Sequence, residues 1–228
     1  MLLHIPQLLT QAQVEEFRER LAAAAWIDGR VTAGHQSART KDNLQLAEDD
    51  PLANELGAQV RAALKANTLY FSAALPHCVF PPLFNRYRAG HAFGAHVDNA
   101  VRYDRSSQLV QAVRTDLSAT LFLSAPDEYD GGELVVEDTS GDRRVKLPAG
   151  DMLLYPSTSV HRVEAITRGE RLASFFWIQS LVRDEGERRL LFNLDLAIRK
   201  LGVDNTEHPS LIELTGIYHN LLRRWAEV

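Results

Sequence analysis

His96-Val97-Asp98 sets an imidazole and a carboxylate two residues apart. On a β-strand that spacing puts both side chains on one face. A neutral imidazole and a carboxylate converging from one strand can fill two adjacent positions on a metal ion. Taken alone the pair says little: roughly half of one such pair arises by chance in a chain with this many histidines and aspartates. A polar strand at the surface explains it equally well. His161 follows Asp98 by 63 residues, on a later run that reads as a strand, and Arg171 comes ten residues after it. Between them, Thr167-Arg168-Gly169-Glu170 reads as a turn. A hairpin of that length brings a histidine and an arginine to one interior. Two histidines and a carboxylate leave three octahedral positions open, which suits Fe(II) bound by a bidentate co-substrate and O2. A guanidinium supplies a planar fork for the far end of a dicarboxylate. Zinc on the same triad would make a hydrolase, but Arg171 would then have no task and no general base stands near the motif.

These residues sit in a chain of 228 residues that is 45% hydrophobic, enough to bury a core. The net charge of −5 gives no support for a nucleic-acid partner. The short basic pairs Arg143-Arg144 and Arg188-Arg189 read as solvated surface. Cys78 is the lone cysteine, so no internal disulfide forms and a reducing compartment is expected. The apolar N-terminus lacks a basic start and is interrupted by His4 and Pro6, so no signal peptide is read. No run reaches the roughly 18 apolar residues of a membrane span. A soluble, cytoplasmic chain is expected.

Helical signals come first and last. Thr10 and Gln13 form a capping box ahead of Val14, Phe17, Leu21 and Ala25 at helical spacing. A loop with few apolar residues, from Thr32 to Asn43, follows. Asp50 and Pro51 then open a second helix with Leu52, Leu56, Val60 and Leu64 on its buried face. Strands are predicted near 79–88, 94–98, 116–124, 132–137, 143–147, 151–155, 160–166 and 171–180. Short strands at hairpin spacing imply a two-sheet jelly roll or barrel, with the N-terminal helices on one outer face. After Leu181, a helical hairpin is expected: Leu190, Leu191, Leu194, Ile198 and Leu201 up to a C-cap at Gly202, then a second helix opened by Pro209. The division is thus 1–181 for the strand-rich domain with its N-terminal helices and 182–228 for the helical extension.

The stretch from Asn85 to Asp98 carries Tyr87, Gly90, Phe93 and then the H-x-D. It resembles the prolyl 4-hydroxylase branch of the Fe(II)/2-oxoglutarate dioxygenases. Arg114 to Leu123, Asp130-Gly131-Gly132-Glu133-Leu134 and Leu153-Leu154-Tyr155-Pro156-Ser157 are similar to the bacterial PKHD-type hydroxylases, a family that includes an iron-uptake factor. The resemblance runs over most of the chain, helical tail included. It implies a mainly β (α+β) chain whose centre is a double-stranded β-helix, a distorted jelly roll with flanking helices. It implies iron on His96, Asp98 and His161, and the distal carboxylate of 2-oxoglutarate on Arg171 with a hydrogen bond from Tyr87. The implied reaction is hydroxylation of a C–H bond, coupled to decarboxylation of 2-oxoglutarate to succinate and CO2, with L-ascorbate keeping the iron reduced. Some relatives carry R-x-S for the keto acid. Here Ala173 holds the second place and Ser174 falls on the other strand face, so the hydroxyl must come from Tyr87 or from another residue.

Tyr87 also reads as a half-buried strand tyrosine. Tyr155, Phe175 and Trp177 read as core, the last two on Arg171's strand face. His91 reads as a loop residue, and His4, His35, His77, His208 and His219 as structural or surface histidines. Asn99 and Arg102 open a polar segment, 99–111, that is either a substrate-binding lid or a connector. The expected substrate is a small molecule, a siderophore-related compound or a peptide, with no nucleic-acid or membrane partner. A homodimer through the C-terminal helices is a further expectation. A non-catalytic sensor of iron or 2-oxoglutarate on the same scaffold is the alternative.

Overall fold

A computed structural model describes residues 1–228 except 33, 35, 107, 108, 139 and 140. His35 and two positions of the segment 99–111 therefore lie outside the described residues. The chain opens with β1 (Leu3–Ile5) and α1 (Gln11–Ala22). The capping box is formed: Thr10 Oγ1 accepts from the Gln13 amide at 3.3 Å, and Gln13 Oε1 accepts from the Thr10 amide at 2.9 Å. Val14, Phe17 and Leu21 are buried, whereas Ala25 lies beyond the helix and is exposed, because the helix stops at Ala22. Three two-residue strands follow: β2 (Ile27–Asp28), β3 (Lys41–Asp42) and β4 (Leu44–Gln45). Asp50 caps α2 (Pro51–Ala66) through the amides of Leu52 and Ala53. Then comes α3 (Thr68–Ala74), a helix the apolar spacing did not disclose.

The strand-rich part runs β5 (Pro76–Val79), β6 (Leu83–Arg88), β7 (Ala92–His96), β8 (Val101–Asp104), β9 (Gln111–Arg114) and β10 (Leu117–Phe122). It continues with β11 (Tyr129–Gly131), β12 (Leu134–Asp138), β13 (Gly141–Val145), β14 (Met152–Pro156), β15 (His161–Val163) and β16 (Ile166–Ser180). One large sheet has the order β1-β14-β10-β16-β6-β4-β2, and a smaller one has the order β13-β12-β15-β7-β3. The two face each other as a jelly roll. β8 and β9 pair as a separate ribbon, so the segment read as a loop over 99–111 is partly strand. Pro81 and Pro82 split the run predicted over 79–88 into two strands, since proline cannot donate to a ladder.

β16 is the long central strand, and alternation divides it between two cores. Leu172, Phe176 and Ile178 join Phe17, Leu56, Val60 and Phe84 in the cluster under α1 and α2. Arg171, Phe175 and Trp177 point the other way, between the sheets. The predicted turn at Arg168-Gly169-Glu170 is not a turn. The strand passes straight through it, pairing Tyr129 with Gly169 and Asp130 with Arg168. Gly169 has φ +75°, and a Cβ there would stand 2.0 Å from the Glu128 carbonyl oxygen. The glycine marks a close approach of β11 to β16 rather than a chain reversal.

At the C-terminus, α4 (Glu185–Asp204) and α5 (Ser210–Trp225) form the expected helical hairpin. Leu191 is buried with Leu75 and Val182, and Tyr218, Leu221, Leu222 and Trp225 pack against them. The apolar face thus turns to the chain itself, while Leu190 is 59% exposed and belongs to the outer face. Gly202 lies inside α4, which runs on to an N–H contact from Asn205 to the Leu201 carbonyl. Among the described residues, no helix is long and apolar enough to cross a membrane.

Replacing Gly169 by alanine tests this backbone. The positive φ and the carbonyl contact together should cost more than ~1 kcal/mol, read as a lower melting temperature. An unchanged melting temperature would mean that β16 does not approach β11 as closely as described.

Candidate metal centre

His161 lies directly opposite His96 in the antiparallel pair of β15 and β7. Cross-strand neighbours on one face are close enough to share a ligand, and the two rings have centroids 4.2 Å apart. Each ring is oriented by its own backbone. His96 Nδ1 lies 2.8 Å from the Gly94 carbonyl oxygen, and His161 Nδ1 lies 3.1 Å from that of Ser159. With Nδ1–H donating in both, each Nε2 keeps its lone pair for the cavity. Phe93 stacks on His96 at 3.6 Å between centroids. Burial, then the neighbouring His161, lowers the His96 pKa to about 4, so the ring is neutral and able to ligate at neutral pH.

Asp98 stands two residues past the end of β7, not on the strand predicted over 94–98. Ser118 on β10 donates to its Oδ2 at 2.6 Å, and Ser157 lies 2.7 Å from the Ser118 oxygen. Asp98 Oδ2 is 3.7 Å from His161 Nε2. One ligating atom from each of His96, Asp98 and His161 lies within 4.8 Å of the others. Two imidazoles and a hydrogen-bonded carboxylate make a donor set that fits a divalent transition metal with open positions.

Arg171 is opposite Tyr87 in the pairing of β16 with β6. It is only 1% exposed, and its guanidinium lies between the Tyr87 ring at 5.4 Å and the Phe122 ring at 5.3 Å. No carboxylate of the described residues pairs with it, and its Nε has no hydrogen-bond partner. Burial pushes the Tyr87 hydroxyl up to about 12, partly countered by Arg171. Tyr129 and Tyr155 feel the same cation and are likewise raised by burial. Tyr155, read from sequence as core, lines the cavity with its ring edge-on to His161 at 5.2 Å. Phe175 and Trp177 line it too. Ser174 is on the opposite face, as expected.

The cavity, counted together with the open solvent at its mouth, encloses about 750 Å³. Asn99 and Arg102 are at the mouth. Arg102 is pinned there: it donates to the Thr32 carbonyl at 3.0 Å and to Glu48 Oε1 at 2.6 Å, and lies over Trp177 at 4.7 Å and Phe80 at 5.0 Å. The stretch from Thr32 to Asn43, read as a plain loop, contributes Thr32, Gly34, Ser37 and Lys41 to the wall. Ser118 and Thr120 also line the cavity. Sequence reasoning missed all of these, and only the polar pattern of β10 hinted at the last two. His91 bonds the Arg88 amide in its turn, and His4 pairs with Asp151.

Two family profiles match the chain: the 2OG-Fe(II) oxygenase superfamily over residues 82–179, and the PKHD-type hydroxylase C-terminal domain over residues 185–227. A PKHD-type hydroxylase of Xanthomonas campestris pv. campestris is 63% identical over 228 residues, covering 100% of both chains. Among solved structures, a Pseudomonas putida prolyl-4-hydroxylase superposes with a TM-score of 0.53 at 20% identity, over 78% of this chain and 92% of its own. HygX from Streptomyces hygroscopicus, solved with nickel and 2-oxoglutarate bound, gives 0.54 at 17% identity, over 77% and 81%. Both share the jelly-roll fold.

The Ser118 hydroxyl orients Asp98 and gives a test of the donor set. Ser118→Ala should weaken Fe(II) affinity by about 10–100-fold, measured by anaerobic titration, with little change in melting temperature. Unchanged affinity would remove Asp98 from the donor set or Ser118 from its support.

Proposed function

Because the chain belongs to the PKHD-type hydroxylases of the 2OG-Fe(II) oxygenase superfamily, we propose that His96, Asp98 and His161 hold Fe(II) and that Arg171 and Tyr87 bind the far carboxylate of 2-oxoglutarate. The observation that carries this reading is Arg171: a fully buried cation with no carboxylate partner among the described residues, in the wall of the cavity that holds the His-Asp-His cluster. A buried charge left unpaired is costly, and a dicarboxylate supplies the missing partner. When bound, iron and 2-oxoglutarate supply an oxidant from O2, so that substrate, O2 and 2-oxoglutarate yield hydroxylated substrate, succinate and CO2.

The protein's own work is positioning and exclusion. His96 and His161 turn their Nε2 atoms to the cavity, because their Nδ1–H groups are committed to the carbonyls of Gly94 and Ser159. Ser118 fixes the Asp98 carboxylate. The rings of Tyr87 and Phe122 keep water from the guanidinium, which strengthens its hold on an anion. Phe93, Phe175 and Trp177 give the mouth side of the cavity an apolar wall, suited to holding an unactivated C–H bond near the metal. The substrate in this reading is a small molecule, a siderophore-related compound or a peptide side chain that passes Asn99 and Arg102, and a role in iron uptake rests on the family resemblance. L-Ascorbate enters as the external reductant.

Incubated with Fe(II), ascorbate, 2-oxoglutarate and O2, the purified chain should form succinate even without substrate. A sensor would bind the keto acid and make none. In the anaerobic metal-loaded protein, 2-oxoglutarate at about 100 times its Kd should stabilise the fold by ~2.7 kcal/mol. Arg171→Met should abolish that stabilisation while melting, ligand-free, at or above the wild-type temperature, since it removes an uncompensated buried charge. Wild-type protein that neither binds 2-oxoglutarate nor makes succinate would refute the reading.

A further inference from the structure

A second buried cation faces the same cavity and has no use in the reaction as described. Lys41 is 5% exposed. It is buried because β3 pairs with β7, with Lys41 opposite Phe93. Among the described residues its ammonium donates to neutral oxygens, Thr32 Oγ1 at 3.0 Å and Gln45 Oε1 at 3.1 Å. Its Nζ lies 5.4 Å from the centre of the Phe93 ring and 5.5 Å from that of Phe175. No carboxylate of the described residues forms an ion pair with it. Burial and the neighbouring Arg102 lower its pKa to about 8, partly countered by the more distant charges of Asp98, Asp28 and Glu48.

The two buried cations have different neighbours in the cavity wall. Arg171 sits by Tyr87 and Phe122, Lys41 by Phe175, and Arg171 and Phe175 are four residues apart on β16. Four strand residues span about 13 Å. In the reading above the far carboxylate of 2-oxoglutarate lies on Arg171, and Lys41 has no assigned anion. Arg102, the other cation at the mouth, already has Glu48 at 2.6 Å. Asn85 adds a second unmet group: it is 8% exposed, lines the cavity, and its Oδ1 lacks a partner. Asn85 is opposite Gln45, the residue that accepts from Lys41. A buried ammonium and a buried acceptor thus both adjoin Gln45, and both line the cavity.

Resting on the reading that this cavity is where substrate is oxidised, we propose that Lys41 is a specificity-determining residue that binds a carboxylate of the substrate. The substrate class is accordingly a carboxylic acid, free or at a peptide C-terminus, with an apolar portion against Phe93, Phe175 and Trp177. Asn85 accepts from an N–H or O–H beside the carboxylate. A single ammonium between two phenyl rings, with no second free cation beside it among the described residues, suits a monoanion better than a phosphate monoester.

The test uses the full chain loaded anaerobically with Zn(II) and saturating 2-oxoglutarate. Saturation-transfer NMR measures binding of a panel of monocarboxylates, from acetate to N-acetylphenylalanine, each beside its neutral amide, with methyl phosphate as a further probe. At least one acid should bind ten or more times tighter than its amide. Lys41→Met should erase that preference while leaving 2-oxoglutarate affinity within twofold, and Lys41→Arg should retain it. The acid–amide comparison in the wild type needs no variant, so it stands even if Lys41→Met fails to fold. Acids and amides that bind alike, an acid preference that survives Lys41→Met, or methyl phosphate outcompeting every acid would overturn the proposal. Failure of the wild type to bind 2-oxoglutarate in the same samples would instead sink the co-substrate reading on which the proposal rests.

Discussion

A guanidinium with almost no exposure, held between two aromatic rings and lacking a carboxylate partner among the described residues, is the feature around which the interior is organised. Arg171 can occupy that place only because β16 is central in its sheet, with β6 and β10 on either side. That position lets alternate residues serve opposite purposes. Leu172, Phe176 and Ile178 join the cluster beneath α1 and α2. Arg171, Phe175 and Trp177 face the smaller sheet across the cavity. The apolar face anchors the strand, and the anchored strand can then tolerate a buried charge on its other face.

The smaller sheet meets this demand through register. The antiparallel pairing that sets His161 against His96 brings two imidazoles together from residues 65 apart in the chain. A one-residue slip of β15 would turn His161 away from the cavity. Asp98 depends less on strand geometry, since it lies beyond the end of β7 and is fixed by a hydroxyl from the facing sheet. The cluster therefore joins both sheets, and its geometry is tied to how closely they pack.

Much of this was legible in the sequence, and the parts that were not have physical reasons. His96, the later histidine and the arginine could be read because strand alternation fixes faces without reference to distant contacts, whereas Asp98 lies past the end of its strand and a hydroxyl on the facing sheet holds it. The route between His161 and Arg171 was misread, because glycine punctuates turns and close strand approaches alike; at Gly169 it is the latter. β8, inside the segment read as a lid or connector, was missed because its apolar residues, Val101 and Tyr103, are few and lie at the surface, 43% and 55% exposed. Leu190 was placed on the wrong face of α4, since adjacent leucines in a helix leave the buried side ambiguous. Lys41 carried no signal at all. Its burial follows from pairing with a strand some fifty positions away, and a lone lysine in a polar stretch ordinarily reads as solvated surface.

The most direct test of the central claim is a crystal structure of the full chain grown without oxygen in the presence of Mn(II) and 2-oxoglutarate, with the metal located by its anomalous signal. The expected result is one ion bonded to Nε2 of His96, Nε2 of His161 and an Asp98 oxygen, with the far carboxylate of the keto acid on the Arg171 guanidinium. An ion bound elsewhere, or an Arg171 still without an anion at saturating 2-oxoglutarate, would contradict it.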